Sequence, residues 1–149
     1  MTTFAKKGLS VTLEFETDDI GNALAFAPLK KFPLLKHSEL AEYSRGEFCR
    51  FSAVNAPETP GVFAILIDGA AIHVGRTIKS LRGELNNFGR LSASAFKLRG
   101  QATHCRCNSK LLAALRNRSK IEVLVWPAQK ENVDGLKHQI KSELQGARR

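Results

Sequence analysis

His73 and the residues directly after it are the part of the chain best suited to chemistry. Histidine is the side chain that ordinarily changes charge near neutral pH, so His73 can act as a general base or as a metal ligand. Gly75, Arg76 and Thr77 follow at once and offer backbone and side-chain donors before a segment with helical periodicity. Such donors at the start of a helix favour an anion. A histidine near a strand end is also commonly a surface or core residue, so both interpretations stay open.

Positive charge is concentrated in residues 74–120. This segment holds eleven Lys and Arg residues against one acidic residue, Glu84, whereas the formal net charge of the whole chain is +9. A clustered cationic surface favours a polyanion, and nucleic acid is the obvious candidate. The alternative is a solvated basic surface without a partner. The side chains expected to contact nucleic acid are those of Arg76, Lys79, Arg82, Arg90, Lys97, Arg99, Arg106 and Lys110.

His104, Cys105 and Cys107 are close enough in sequence to suggest zinc. Structural zinc sites usually combine two pairs of ligands, and here a second pair would have to come from Cys49 and His138. The alternative is that Cys105 and Cys107 share one side of an extended segment and pack as small apolar residues. Three cysteines cannot all pair with one another, which favours reduced thiols and a cytoplasmic protein.

The stretch from Pro60 to Thr77 predicts the hairpin that would position His73. Its two apolar runs are joined by Asp68 and Gly69, and Asp-Gly between such runs is a strong hairpin signal. We expect the second strand to end at Gly75. Helical spacing of Ile78, Leu81, Leu85 and Phe88 then predicts a helix of about three turns.

The rest of the C-terminal part predicts a loop, two helices and a strand. Residues 89–107 are small, polar and basic, which indicates a long loop. Asn108 is expected to cap a helix over residues 109–118. A β-branched strand over residues 121–126 and a helix from Val133 complete an α+β fold.

The N-terminal part predicts a strand over residues 9–16 and a short helix from Ser38 to Tyr43. We expect residues 1–57 to form an extension and residues 58–149 to form the main domain. Hydrophobic residues make up 43% of the chain, enough for a core. No apolar run approaches the ~20 residues that cross a bilayer, and the first seven residues lack the apolar core of a secretory signal, so we expect no membrane partner.

The hairpin resembles that of the GIY-YIG nucleases. Gly61-Val62-Phe63 and His73-Val74-Gly75 occupy the places of the two defining motifs, and Gly100-Gln101-Ala102-Thr103 is similar to a segment of a small bacterial and phage branch of these endonucleases. The resemblance covers about residues 58–146. It implies a three-stranded antiparallel sheet flanked by helices and DNA as the partner, with RNA as an alternative.

The resemblance also implies where catalytic groups would lie. The two family tyrosines fall on Phe63 and His73, and the family arginine falls on or beside Glu84. Arg76 or Arg82 could replace that arginine if the helix is phased differently. Phosphodiester hydrolysis needs an activated nucleophile and positive charge where negative charge develops, and Phe63 has no proton to exchange.

The metal ligand implied by the resemblance is a glutamate on a late helix, and Lys137 stands in its place. The nearest carboxylates are Asp134 and Glu143, and one or the other would hold Mg²⁺ in an active enzyme. With three of four positions unsuited, we expect a DNA-binding protein with lost or weakened cleavage. The alternatives are an active Mg²⁺-dependent endonuclease using His73, and a protein-interaction or inhibitor module for which residues 1–57 provide the surface.

Overall fold

A computed structural model describes residues 8–147, and these form two compact units. One unit combines the described residues up to 13 with residues 53–85 and those from 120 onward; the other combines residues 14–52 with residues 86–119. Each unit draws on stretches from both sides of residue 57. The domain boundary that we expect between residues 57 and 58 stays a prediction.

The described chain contains eight strands and four α-helices, which confirms a mixed α+β fold. None of these helices is both long and apolar enough to cross a bilayer. The strands are β1 (Leu9–Val11), β2 (Leu13–Phe15), β3 (Ala25–Phe26), β4 (Phe48–Cys49), β5 (Phe51–Ala53), β6 (Gly61–Ile67), β7 (Ala70–Thr77) and β8 (Ile121–Pro127). The helices are α1 (Pro28–Lys31), α2 (Leu81–Gly89), α3 (Ala102–Arg116) and α4 (Val133–Ala147).

The first unit is built on a four-stranded antiparallel sheet in the order β1-β8-β6-β7. The expectation of three strands is wrong, because β1 pairs with the outer edge of β8 and satisfies backbone groups there.

The strand expected over residues 9–16 is interrupted at Thr12. The Thr12 backbone N–H donates to Asn55 Oδ1 at 2.8 Å, and β2 pairs with β5 in a separate sheet.

The predicted hairpin is confirmed. Asp68 and Gly69 adopt φ angles of 50° and 82°, the left-handed conformation that a tight turn between twisted strands requires. The Asp68 backbone N–H donates to the Lys120 carbonyl, and its carboxylate accepts from the Lys120 N–H, both at 2.8 Å. The turn residue therefore also fastens the start of β8. The strand β7 runs on to Thr77, two residues beyond the expected end at Gly75.

Alternation along β6 divides the core of the first unit between two faces of the sheet. Val62, Ala64 and Leu66 belong to a buried cluster with Ile140 of α4. Phe63 and Ile65 must therefore point to the opposite face, and both are fully buried.

The second unit is centred on a cluster of phenylalanines. Phe48 and Phe96 are buried with ring centroids 4.9 Å apart, and Phe26 and Phe32 pack around them. The helix expected from Ser38 to Tyr43 is wrong. Two 3-10 turns replace it, since the Ala41 N–H donates to the Phe96 carbonyl at 3.0 Å instead of continuing a helix.

The loop expected over residues 89–107 is also wrong. A 3-10 turn forms at Ala93–Phe96, and α3 begins at Ala102, well before Asn108. The expected helix start is wrong because the apolar face of α3 includes Cys105 and Cys107, which the loop prediction placed on an extended segment. Both are buried.

Asn108 is a core residue and not the expected N-cap. Its Oδ1 accepts from the Cys49 backbone N–H, and its Nδ2 donates to the carbonyls of Cys49 and Phe88, all at 2.8 Å. The side chain is completely buried. One amide therefore joins α3 to β4 and to the last turn of α2, with every contact inside the second unit.

Replacing Asn108 with Ala should destabilise the protein by about 3–5 kcal/mol, because three buried backbone groups lose their partner. Urea unfolding followed by circular dichroism measures this change. Asn117→Ala is the matched control: Asn117 is exposed just after the same helix, and its replacement should change the free energy of unfolding by less than about 0.5 kcal/mol. Equal stability of the two variants would contradict the role given to Asn108.

Candidate nucleic-acid interface

Phe63 and His73 are brought together in the hairpin. Their ring centroids are 5.7 Å apart on the face of the sheet opposite α4. Gly75 makes room for them, because a Cβ at this position would lie 2.5 Å from Phe63 Cζ and 2.9 Å from His73 Nε2. Phe63 and His73, on which the two family tyrosines fall, are thus neighbours. Phe63 is fully buried and His73 is half-buried.

Arg76 lies on the opposite face of the sheet from His73. Its register partner is Val62, which packs toward α4, and its Nε is 2.9 Å from Asp134 Oδ1 in the first turn of that helix. The pair is largely exposed, so it contributes little to stability. Arg76 and His73 therefore do not converge on one reacting group in this arrangement.

The expected anion site after Gly75 is wrong. Residues 75–77 belong to β7, and the helix begins only at Leu81. Its first N–H groups are already bonded: those of Leu81 and Arg82 donate to the carbonyls of Thr59 and Pro57 at 2.9 and 3.0 Å. The Gly83 N–H donates to the Ser80 hydroxyl at 3.1 Å, as at a capped helix start. No open set of donors is left there for a phosphate.

Arg82 fastens the loop before β6. Its Nε donates to the Ala56 carbonyl at 2.9 Å, and its Nη1 donates to Glu58 Oε1 at 2.7 Å. Glu84, on which the family arginine falls, is half-buried on the same helix. For Arg82 to bind a phosphate, its guanidinium would have to leave both partners.

Lys137 lines a groove of about 360 Å³ at the edge of the sheet, together with Lys141 of α4 and residues 71–74 of β7. The carboxylates expected to hold Mg²⁺ are separated: Asp134 and Glu143 are nine residues apart on α4, which places them ~13 Å apart along the axis and on opposite sides. Asp134 is paired with Arg76, and Glu143 Oε2 is buried and has no hydrogen-bond partner among residues 8–147. Each carboxylate would therefore have to bind Mg²⁺ without the other.

Of the residues suggested for zinc, His138 lies on α4 of the first unit, and the others belong to the second unit. Cys105 belongs to the phenylalanine cluster, and His104 stacks on Phe88 with ring centroids 4.1 Å apart. Over residues 8–147, no three His, Cys, Asp or Glu side chains are placed to hold one metal ion. The expectation that Cys105 and Cys107 pack as small apolar residues is confirmed, although they lie on a helix and not on an extended segment.

Most basic residues of the second unit lie after Asn86, and these are exposed. Residues 86–119 contain seven Lys and Arg residues and no Asp or Glu. On α3, Arg106 and Lys110 share the solvent face one turn apart, and Arg116 lies beside it. Carboxylates offset the charge of two other basic residues. Lys97 Nζ is 3.4 Å from Glu39 Oε2, and Arg116 Nη1 is 3.1 Å from Glu47 Oε1.

Tyr43 is a contributor to this surface that the sequence did not reveal. Its hydroxyl donates to the Lys97 carbonyl at 2.8 Å and accepts from the Gly100 N–H at 3.1 Å. The Arg106 guanidinium lies over its ring, 5.6 Å from the centroid. Tyr43 thus binds the segment before α3 and positions the Arg106 cation near the start of the helix. The two residues are 63 positions apart in sequence, so no local pattern indicates this contact.

No family model, curated protein or solved structure matches this chain. The GIY-YIG resemblance stays a prediction that rests on the sequence motifs.

The three thiols should be unreactive in the folded protein. Burial raises the pKa of Cys49 to about 12 and the pKa of Cys105 and Cys107 to about 11, from an ordinary value of 9.0. At pH 8 we expect no reaction with a thiol reagent such as Ellman's reagent until denaturant is added, after which three thiols react.

The same pKa shifts make stability fall at high pH. Because the unfolded thiols ionise near pH 9 while the folded ones stay protonated, the thiol contribution is fully present below pH 9 and is lost as the pH rises through the folded pKa values of about 11 to about 12. Urea midpoints measured between pH 7 and pH 10.5 should decline above pH 9. Rapid labelling of any cysteine in the folded state at pH 8 would contradict this account.

Proposed function

We propose that this protein binds DNA through the basic surface of its second unit and cleaves it weakly or not at all. The observation that carries the proposal is the charge of residues 86–119, where seven cations are accompanied by no acidic residue. Since DNA presents a regular array of phosphates, such a surface gains affinity by releasing condensed counterions.

The arrangement of α3 supports this assignment. Arg106 and Lys110 have exposed side chains one turn apart, about 6 Å along the helix axis. Adjacent phosphates of one DNA strand are separated by a similar distance, so the two cations can contact one backbone together. Arg106 is also preordered by the Tyr43 ring, which reduces the side-chain entropy lost on binding.

Weak or absent cleavage follows from the groups at the positions implied by the resemblance. Phe63 has no proton to transfer, Lys137 would repel a metal ion, and Arg76 is paired with Asp134 on the face opposite His73. Loss of one transition-state donor or metal ligand costs about 10²–10³ in rate. Binding needs none of these groups, so it can persist without hydrolysis.

The double variant Arg106→Ala/Lys110→Ala should bind DNA about tenfold more weakly near 0.15 M salt. The slope of log K against log salt should fall by about 2, because two phosphate contacts are removed. Fluorescence anisotropy with a labelled 30-nucleotide strand and a 30-bp duplex at several salt concentrations measures both quantities, and an RNA strand of the same sequence tests the alternative polymer.

Lys30→Ala/Lys36→Ala is the matched control. It removes the same charge from exposed positions of the second unit that lie outside the basic segment, so it should keep the affinity and the salt slope. Equal loss in both double variants, or an affinity of the parent protein that does not change with salt, would refute the proposed surface.

Supercoiled plasmid should stay intact after long incubation with the protein and 10 mM Mg²⁺ or Mn²⁺ under conditions where a gel shift shows the plasmid to be bound. Nicked or linear plasmid that forms with the parent protein and not with His73→Ala would establish the alternative, a metal-dependent endonuclease that uses His73.

A further inference from the structure

A cleft of about 650 Å³ lies in the second unit, where residues 17–23 approach the C-terminal end of α3. Ile20 and Asn22 line it from the loop, and Arg116 and Arg118 line it from the end of the helix. Cavities of about 300–1,000 Å³ are typical of sites for small ligands. The two guanidinium groups make this cleft cationic.

Arg118 occupies a backbone position that usually belongs to glycine. Its φ of 57° is left-handed, and its N–H donates to the Leu115 carbonyl while the Ser119 N–H donates to the Ala114 carbonyl. This pattern is a Schellman motif, in which glycine is favoured because a Cβ is strained there. The chain therefore carries an arginine at a cost in stability.

Capping of the helix does not account for these arginines. Arginine near a helix C-terminus often bonds the last carbonyls, but the Ala113, Ala114 and Leu115 carbonyls already accept backbone N–H groups. Among residues 8–147 the Arg118 side chain has no ion pair or hydrogen bond, and Arg116 uses one Nη on Glu47. Donors of both guanidinium groups remain available to an anion.

The loop opposite carries an exposed apolar side chain, Ile20, on a hydrogen-bonded turn. The Asp18 carboxylate accepts from the N–H groups of Ile20 and Asn22 at 3.0 and 2.9 Å, and Gly21 takes a φ of 88°. These bonds hold the turn while Ile20 stays 82% exposed. The aliphatic side chain can contact the base or sugar of a nucleotide, and the two arginines beside it can bind the phosphate.

We propose that this cleft binds one nucleotide unit of single-stranded DNA. The phosphate is bound by Arg118 and Arg116, the base or sugar packs on Ile20, and the Asn22 amide is within the same cleft to bond a base edge. A paired base is stacked inside a duplex, so only a single strand offers its face. This inference rests on the proposed function, because it assigns a binding pocket to the same cationic unit.

NMR titration with thymidine 5′-monophosphate tests the cleft directly. The parent protein should show saturable shifts at Ile20, Asn22 and Arg118, with affinity at least tenfold above that for thymidine or for inorganic phosphate. Arg118→Gly should weaken binding of the monophosphate about tenfold while raising the melting temperature, since glycine relieves the backbone strain. A loss of binding in a more stable protein cannot come from unfolding.

Two further variants complete the test. Arg118→Lys retains the cation and should retain most of the affinity, whereas Lys30→Ala/Lys36→Ala removes charge elsewhere and should leave binding unchanged. Unaltered affinity in Arg118→Gly, or equal affinity for inorganic phosphate and the monophosphate, would overturn the inference. If the parent protein binds the 30-nucleotide strand but not the monophosphate, the cleft assignment fails alone; if it binds neither, the proposed function fails too.

Discussion

The bidentate bond between Asn108 and Cys49 is the interaction on which the second unit depends. A buried amide satisfies the donor and the acceptor of one strand residue and uses its remaining proton on the Phe88 carbonyl. No apolar side chain could replace it, because three buried backbone groups would then lack partners. The face of α3 that carries Asn108 is thereby fixed toward the core, and the opposite face, with Arg106 and Lys110, is fixed toward solvent.

A comparable constraint operates in the hairpin of the first unit. Gly75 leaves the space into which the Phe63 and His73 rings fit, and alternation along β7 then places Arg76 on the other face. A strand cannot present two residues at odd separation to the same side. Phe63 therefore fills the buried space beside His73 with a ring that carries no hydroxyl group.

The cationic residues divide into those with structural partners and those available to a ligand. Arg76 and Arg82 are bonded within the first unit to Asp134 and to the loop at Ala56 and Glu58. Arg118 has no such partner among the described residues, and the Arg106 guanidinium lies over the Tyr43 ring. A count of charges along the chain treats these residues alike. Their usefulness for binding differs because an ion pair must be broken before its arginine can contact a phosphate.

Local patterns by themselves determined the hairpin, the last strand, the C-terminal helix and the α+β class. Asp68 and Gly69 tolerate the left-handed turn, and apolar spacing separates strands from helices without reference to distant residues. Only the tertiary structure decided that β1 joins the sheet, that α3 begins at Ala102, and that Asn108 is buried. Each of these depends on partners far away in sequence, such as Leu124 for Ser10 and Cys49 for Asn108. A short polar or cysteine-containing segment has no periodicity of its own from which its hydrogen-bonding or packing partner could be predicted.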